Sequence, residues 1–387
     1  ITLLFTSFNF LQMGVSGLTA QALGSGAQAR VMNILARALV IAGAVALLLN
    51  LLSGPVAAAW LALFEGSAEA EALARAYIGI RLLGAPAELA NYALIGWFTG
   101  QEMTRRLLEM QLVTSAVNVA LNLLFAVGLG WGVEGIALGT ACGAYAGLAV
   151  GLWRARARAR EVVPGGWRPE AARLLEPAEL AQVIALNRDI FVRTVCLTGS
   201  FAWMARLGSL QGDVILAANG VLMQFLHVSS YALDGFAIAA ETLVGQALGA
   251  RDRRRLRRAV VVSGTAALAL AVLFAGLASL FSGPVIDAFT NVEAVRAAAR
   301  EHVLWASCMP LAGVLAYQLD GVFIGAAEGR AMRNAMVLSA GIFLGASWAL
   351  TEALGNHGLW LAVWLWMLAR AGTLALRYPA LEARAGC

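Results

Sequence analysis

The chain has 387 residues, of which 60% are hydrophobic and only 13% charged, and its mean hydropathy is +0.75. Water-soluble domains do not carry so many long apolar runs, which leaves a polytopic α-helical membrane protein. The net charge of +5 comes from 28 basic residues, all arginine, against 23 acidic ones; it lies mostly between the apolar runs and reads as a topology signal rather than affinity for nucleic acid.

Apolar runs of about 20 residues suit a bilayer core of about 30 Å. They fall near 1–22, 32–62, 77–99, 107–129, 133–153, 189–209, 214–248, 259–285, 297–325, 334–354 and 357–377, giving eleven candidate spans. Ile1 begins inside the first of them, with no signal peptide. In the third run Glu88 precedes Asn91 and Tyr92, and Pro86 interrupts the helix. In the fourth, Gln111, Thr114, Asn118 and Asn122 recur at helical spacing along one face, and the fifth adds Thr140 and Tyr145. Their oxygens suit a hard monovalent cation or a hydrogen-bonding substrate, and they serve equally as interhelical glue.

The long hydrophilic stretch 154–188 includes RARARAR and a proline-bearing segment, and it reads as a cytoplasmic linker between an N-terminal lobe, 1–153, and a C-terminal lobe, 189–387. Just after it, Asp189 and Arg193 are expected to neutralise each other at i, i+4. The run from Val214 to Arg258 then carries Gln224, His227, Tyr231, Asp234 and Glu241 on one helical face before a cluster of six arginines. A straight helix over 214–249 is about 50 Å long, so tilt, an extension or a break near Gly220 or Gly235 is expected. Glu241 lies ten residues, about 15 Å of rise, before Arg251, hence within the bilayer. Such a carboxylate costs about 2.5–3.5 kcal/mol on insertion scales and is a functional candidate by default. The alternative is that the stripe only pairs with neighbouring helices.

Further on, Tyr317 and Asp320 share a face, Pro310 interrupts the same run, and Trp360, Trp364 and Trp366 are expected at lipid-facing or interfacial positions. The cysteines Cys142, Cys196, Cys308 and Cys387 are isolated, and the first three read as buried small hydrophobes. His227, His302 and His357 lie on separate segments without ligand spacing, which argues against a metal centre.

An internal repeat supports two halves. LTAQALGSGAQAR from Leu18 parallels LVGQALGARD from Leu243, with Gln21 falling on Gln246 at an offset of 225. LLGAPAELANYALIGWFTGQ from Leu82 parallels ASCMPLAGVLAYQLDGVFIGA from Ala306, with Pro86 on Pro310 at 224. The second half has a helix, 189–209, with no counterpart in the first, so one helix is expected to precede Ile1 and the whole to be six plus six. Twenty arginines fall in loops on one side and four on the other, which makes the first side, with the C-terminus, cytoplasmic. Equal topologies relate the halves by an axis along the membrane normal.

The segments NRDIFVRTVCL, ILAANGVLMQFLHVSSYALDGFAIAAETLVGQALGARD, YQLDGVFIGAAEGRAMRNAMVLS and LLGAPAELANYALIGWFTGQ resemble the multidrug and toxic compound extrusion (MATE) transporters, in their DinF-like branch. The resemblance covers essentially the whole chain. It implies twelve helices in two six-helix lobes around a central cavity, helices 2–6 and 7–12 being present, and export of organic, often cationic compounds against an inward H+ or Na+ gradient. It also implies coupling or cavity roles for Asn118, Asn122 and Thr140, a candidate Na+ site, and for Asp234, Glu241 and Asp320. Two departures stand out: many relatives have aspartate where this chain has Asn122, and the first helix, which supplies a key acidic residue in the family, is expected to lie outside this sequence.

The expectation is therefore an H+- or Na+-coupled multidrug antiporter of the bacterial inner membrane, working as a monomer by alternating access, with no cofactor, no enzymatic activity and no nucleic-acid partner. Asp234, Glu241 and Asp320 couple the ion, and Gln224, His227, Tyr231, Asn118, Asn122, Tyr145 and Tyr317 line the cavity. A flippase for lipid-linked precursors calls instead for a cationic cavity, and a lipid-modifying membrane enzyme for clustered His and Asp; a chain inactive for want of its first helix is the remaining alternative.

Overall fold

The computed structural model describes residues 5, 7–61, 67–163 and 176–386, and among these it is all helix with no strand. The start of the first predicted span, the centre of the linker with Arg168 and Arg173, and Cys387 lie outside the described residues. Two compact units emerge, Ile1–Asn187 and Arg188–Cys387.

In the first unit the helices are α1 (Phe10–Gly24), α2 (Gln28–Leu51), α3 (Ser53–Leu61), α4 (Ala68–Leu83), α5 (Ala85–Gly100), α6 (Thr104–Asn122) and α7 (Gly132–Val162). The boundary with the second unit falls inside α8 (Pro177–Leu210). The hydrophilic 154–188 stretch is thus helical at both ends, as the tail of α7 and the head of α8. The single span read over 77–99 is broken at Gly84, so Pro86 does not interrupt a helix: it sits in the first turn of α5, where its missing N–H leaves no bond unmade. The fourth span ends in a π-helical turn, Leu123–Gly128.

The second unit continues with α9 (Asp213–Gly249), α10 (Arg253–Leu280), α11 (Ser282–Phe289), α12 (Glu293–Gly325), α13 (Gly329–Ala375) and α14 (Tyr378–Arg384). The 37 residues of α9 run unbroken through Gly220 and Gly235. Pro310 does lie inside α12. The two last predicted spans are one assigned helix, α13, folded at Gly355, whose φ of 59° and ψ of −136° only glycine adopts easily.

Seven described helices are long and apolar enough to cross a membrane, against eleven candidate spans. The difference has structural reasons: within the first span the described α-helix is Phe10–Gly24, only 15 residues long, the third span is divided at Gly84, two spans merge in α13, and α8 carries Asp189, Arg193 and Arg206.

The repeat is visible in the packing of each unit. A Cβ added to Gly96 would run into the Gln12 carbonyl and one on Gly100 into the Ser16 carbonyl, so α1 and α5 cross backbone to backbone. In the second unit Gly321 meets the Ala237 carbonyl and Gly325 the Glu241 carbonyl, where α9 crosses α12. All four pairs are related by the offset of 225. Small residues spaced by four allow such close approach, which is the main source of helix association where lipid is as apolar as leucine. The turns after these helices match as well: positive φ occurs at Gly26 and Arg251, and at Glu102 and Ala327.

The tryptophan expectation fails. Trp360 and Trp366 are fully buried and Trp364 partly so. Trp360 Nε1 donates to Asn219 Oδ1 at 2.9 Å, and Trp366 stacks on Phe343 with ring centroids 5.0 Å apart. Cys142, Cys196 and Cys308 are free and only partly buried.

Candidate functional site

In the first unit, α7 presents Gly135, Gly139, Gly143 and Gly147 at every fourth position, and α6 lies directly on that ridge. A Cβ on Gly139 would strike Asn122, on Gly143 Asn118, and on Gly147 Thr114. The amide stripe therefore fills the α6–α7 seam. Asn122 Nδ2 donates to Asn118 Oδ1 at 3.0 Å, while the buried Asn122 Oδ1 finds no partner among the described residues. The Thr140 hydroxyl donates to the Ile136 carbonyl at 2.8 Å and Tyr145 OH to the Leu83 carbonyl at 2.9 Å, and Tyr145 stays exposed. Of the candidate Na+ ligands, the structure joins the two amides and satisfies Thr140 within its own helix.

A recess of about 360 Å³ opens nearby, lined by Gln12, Glu88, Asn91, Tyr92, Gln111 and Thr114 among others. Glu88 is paired with the buried Arg81 at 3.0 Å. Asn91 Nδ2 donates to the Ala144 carbonyl at 2.9 Å, and its Oδ1 has no partner among the described residues.

The second unit holds the stronger arrangement. Asp320 on α12 is buried, and its Oδ2 accepts from Arg193 of α8 at 2.8 Å and from Arg370 of α13 at 2.7 Å. All three side chains are removed from solvent, so each charge depends on the others; an isolated ion there costs several kcal/mol, as an order of magnitude. Arg193 thus reaches across to Asp320 rather than serving only its own helix, and Asp189 is held by Arg333 at 2.7 Å and Arg188 at 3.0 Å. The Arg370 guanidinium also lies 5.9 Å from the Tyr317 ring centre and 5.7 Å from that of Trp366. Tyr317 OH and Ser230 Oγ are 2.7 Å apart, which links α12 to α9.

Beside this clamp runs the α9 stripe. His227, Tyr231 and Asp234 are exposed on the surface of the second unit, Tyr231 at 76%, and Gln224 is half-buried. Asp234 makes no direct ion pair among the described residues, although Asp320, Arg193 and Arg370 lie within electrostatic reach. Glu241, farther along, turns inward and is buried at the α9–α12 crossing.

The MatE family model matches residues 1–124 and 190–348. The chain belongs to the MatE family. It is 36% identical to the DNA damage-inducible protein F of Escherichia coli (strain K12), over 96% of this chain and 80% of that protein. It is 29% identical to a probable multidrug resistance protein NorM of Bradyrhizobium diazoefficiens over 70% of this chain, and it spans 59% of that relative. The crystal structure of MATE in the bent conformation superposes with a TM-score of 0.87 at 16% identity, covering 98% of this chain and 86% of that one, which shows the fold.

This MatE chain is a multi-pass membrane protein of a transporter family, not an enzyme, and it lies in the DinF-like branch. One residue central to its second-unit site escaped the sequence reading. Arg370 stands alone in an otherwise apolar run, WLWMLARAGT, and a lone arginine in a predicted span is itself a signal, since an intramembrane charge needs a partner.

Proposed function

We propose that this MatE-family chain is a secondary-active efflux antiporter of the bacterial inner membrane that exports organic, often cationic compounds in exchange for H+ or Na+ by alternating access. The observation that carries this reading is the exposed stripe His227, Tyr231 and Asp234 on a membrane-crossing helix. An ionisable group at such a position faces protein or a water-filled cavity, because facing lipid is too costly. Asp234 is a carboxylate with no direct ion pair among the described residues, within electrostatic reach of two arginines already committed to Asp320. An inward-moving cation and an outward-moving cationic compound compete for it, and that competition is exchange.

In this reading Asp320 has a different task from the one its position in the sequence suggested. Clamped by Arg193 and Arg370, it fixes the electrostatic setting of Asp234 and ties α8, α12 and α13 together. Glu241 and the oxygen set Asn118, Asn122 and Thr140 remain coupling candidates, the latter supported by the unsatisfied Asn122 Oδ1. The name of one relative, a probable multidrug resistance protein, agrees with an export role.

The test is reconstitution in proteoliposomes with proton and sodium gradients imposed separately. Efflux of a cationic dye is expected under one gradient and is lost in Asp234→Asn while the protein still folds and inserts. Undiminished gradient-driven efflux by Asp234→Asn overturns the proposal.

A further inference from the structure

We propose that Glu301, His302 and His357 form a binding site for a divalent transition-metal cation of the zinc class, at the end of the second unit remote from the arginine-rich turns. One ligand atom from each of the three lies within 4.8 Å of the others. His302 and His357, 55 positions apart, come together with ring centroids 4.3 Å apart because α13 folds back at Gly355 and brings His357 onto the first turns of α12. Imidazole nitrogen and carboxylate oxygen together are the donor set of zinc sites that keep a fourth position open.

The surroundings prepare two of the ligands. His302 is buried, and its Nδ1 is 2.8 Å from the Ala298 carbonyl, which can only accept. The proton therefore sits on Nδ1, and Nε2 is left with a lone pair, the orienting bond typical of metal-bound histidine. His357 follows Asn356, which is locked to Asn219 by reciprocal amide bonds of 2.8 and 3.0 Å, so the backbone at the fold of α13 is fixed. Glu301 is exposed and free to close the remaining distance; its Oε1 is already 3.6 Å from His357 Nε2. Arg300, next to it, is occupied by Asp287 and by Glu293, the latter at 3.5 Å, and does not compete for Glu301.

One bond opposes the metal. Trp305 Nε1 donates to His357 Nδ1 at 3.0 Å, which places the His357 proton on Nε2, facing Glu301. Coordination through Nε2 requires the other neutral tautomer, with the proton on Nδ1, and a protonated Nδ1 no longer accepts from the indole, which is displaced. In the metal-free cluster Trp305 is hydrogen-bonded to His357 and Glu301 stands 3.6 Å beyond it, and the metal joins His357 to Glu301 and His302 while fastening α12 to the fold of α13. On the orientation given by the arginine count this end is periplasmic, where the ion is met from outside the cell.

The experiment is equilibrium binding of Zn²⁺ to the full chain, purified in detergent, stripped with chelator and kept reduced. One saturable Zn²⁺ per chain is expected, with Mg²⁺ in excess failing to compete. His357→Asn and Glu301→Gln, both at solvent-accessible side chains, each weaken binding at least tenfold, with circular dichroism confirming that helix content is kept. Absence of saturable binding in the unaltered chain overturns the proposal. So does equal affinity in both variants, the pattern expected if the cysteines bind the zinc.

Discussion

Asp320 and Arg193 stand 127 positions apart in the chain and 2.8 Å apart in the fold. With Arg370 they make a buried group of one carboxylate and two guanidinium ions, so the carboxylate is what keeps two positive charges tolerable there. Asp320→Asn is expected to lower stability by about 3–5 kcal/mol, because it strands buried charge rather than merely deleting a contact. Arg370→Gln leaves the Asp320–Arg193 pair in place and is the milder change. Thermal unfolding of the purified variants, followed by intrinsic fluorescence, ranks them; an unaltered Tm for Asp320→Asn refutes the structural role.

Asp234 gives the opposite pattern. It is exposed and makes no direct ion pair among the described residues, so Asp234→Asn shifts stability by no more than about 0.5 kcal/mol, the usual range for a surface exchange. Transport is lost nonetheless. Measuring Tm and dye efflux on the same preparations separates the two aspartates, and a large drop in Tm for Asp234→Asn speaks against an ion-exchanging role.

The helix crossings make a prediction for two glycines. Gly96→Ala pushes a methyl group into the Gln12 carbonyl and is expected to cost about 1–3 kcal/mol, the range for overpacking. Gly43→Ala meets open space and is expected to be neutral or slightly stabilising, since alanine is the better helix former by up to about 1 kcal/mol. Denaturant titration in detergent distinguishes them, and equal effects at both positions contradict the close crossing of α1 and α5.

Ala327 holds a φ of 55°, a left-handed conformation that side chains disfavour by about 1–2 kcal/mol. Glycine takes the same region of φ, 73°, at Gly26. Ala327→Gly is therefore expected to raise stability by up to about 1 kcal/mol, after the extra freedom of glycine in the unfolded chain is offset. A lower Tm for this variant would show that the methyl group makes compensating contacts.

The helices were legible because a bilayer demands long apolar runs, and the duplication because Gln21 repeats at Gln246 with the offset of 225 that also relates Gly96 to Gly321; the other anchor, Pro86 on Pro310 at 224, is one residue out of that register. The partner of Asp320 was not legible. Periodicity reports which face of its own helix a residue occupies, and Arg193 and Arg370 come from two other helices. The same limit hid the meeting of His302 with His357, which depends on the fold at Gly355. Trp360 and Trp366 were misplaced for a different reason: lipid and protein interior are equally apolar, so composition does not tell a lipid-facing tryptophan from a core one.

The duplicated crossings share their backbone but not their ionisable groups. At the offset of 225 that relates Gly96 to Gly321, Ile95 occupies the place of Asp320, and Ser16 that of Glu241. The halves are alike as scaffolds and unlike as electrodes: a voltage across the bilayer pulls on carboxylates at two positions of the second crossing, where the matching positions of the first, Ile95 and Ser16, carry no charge.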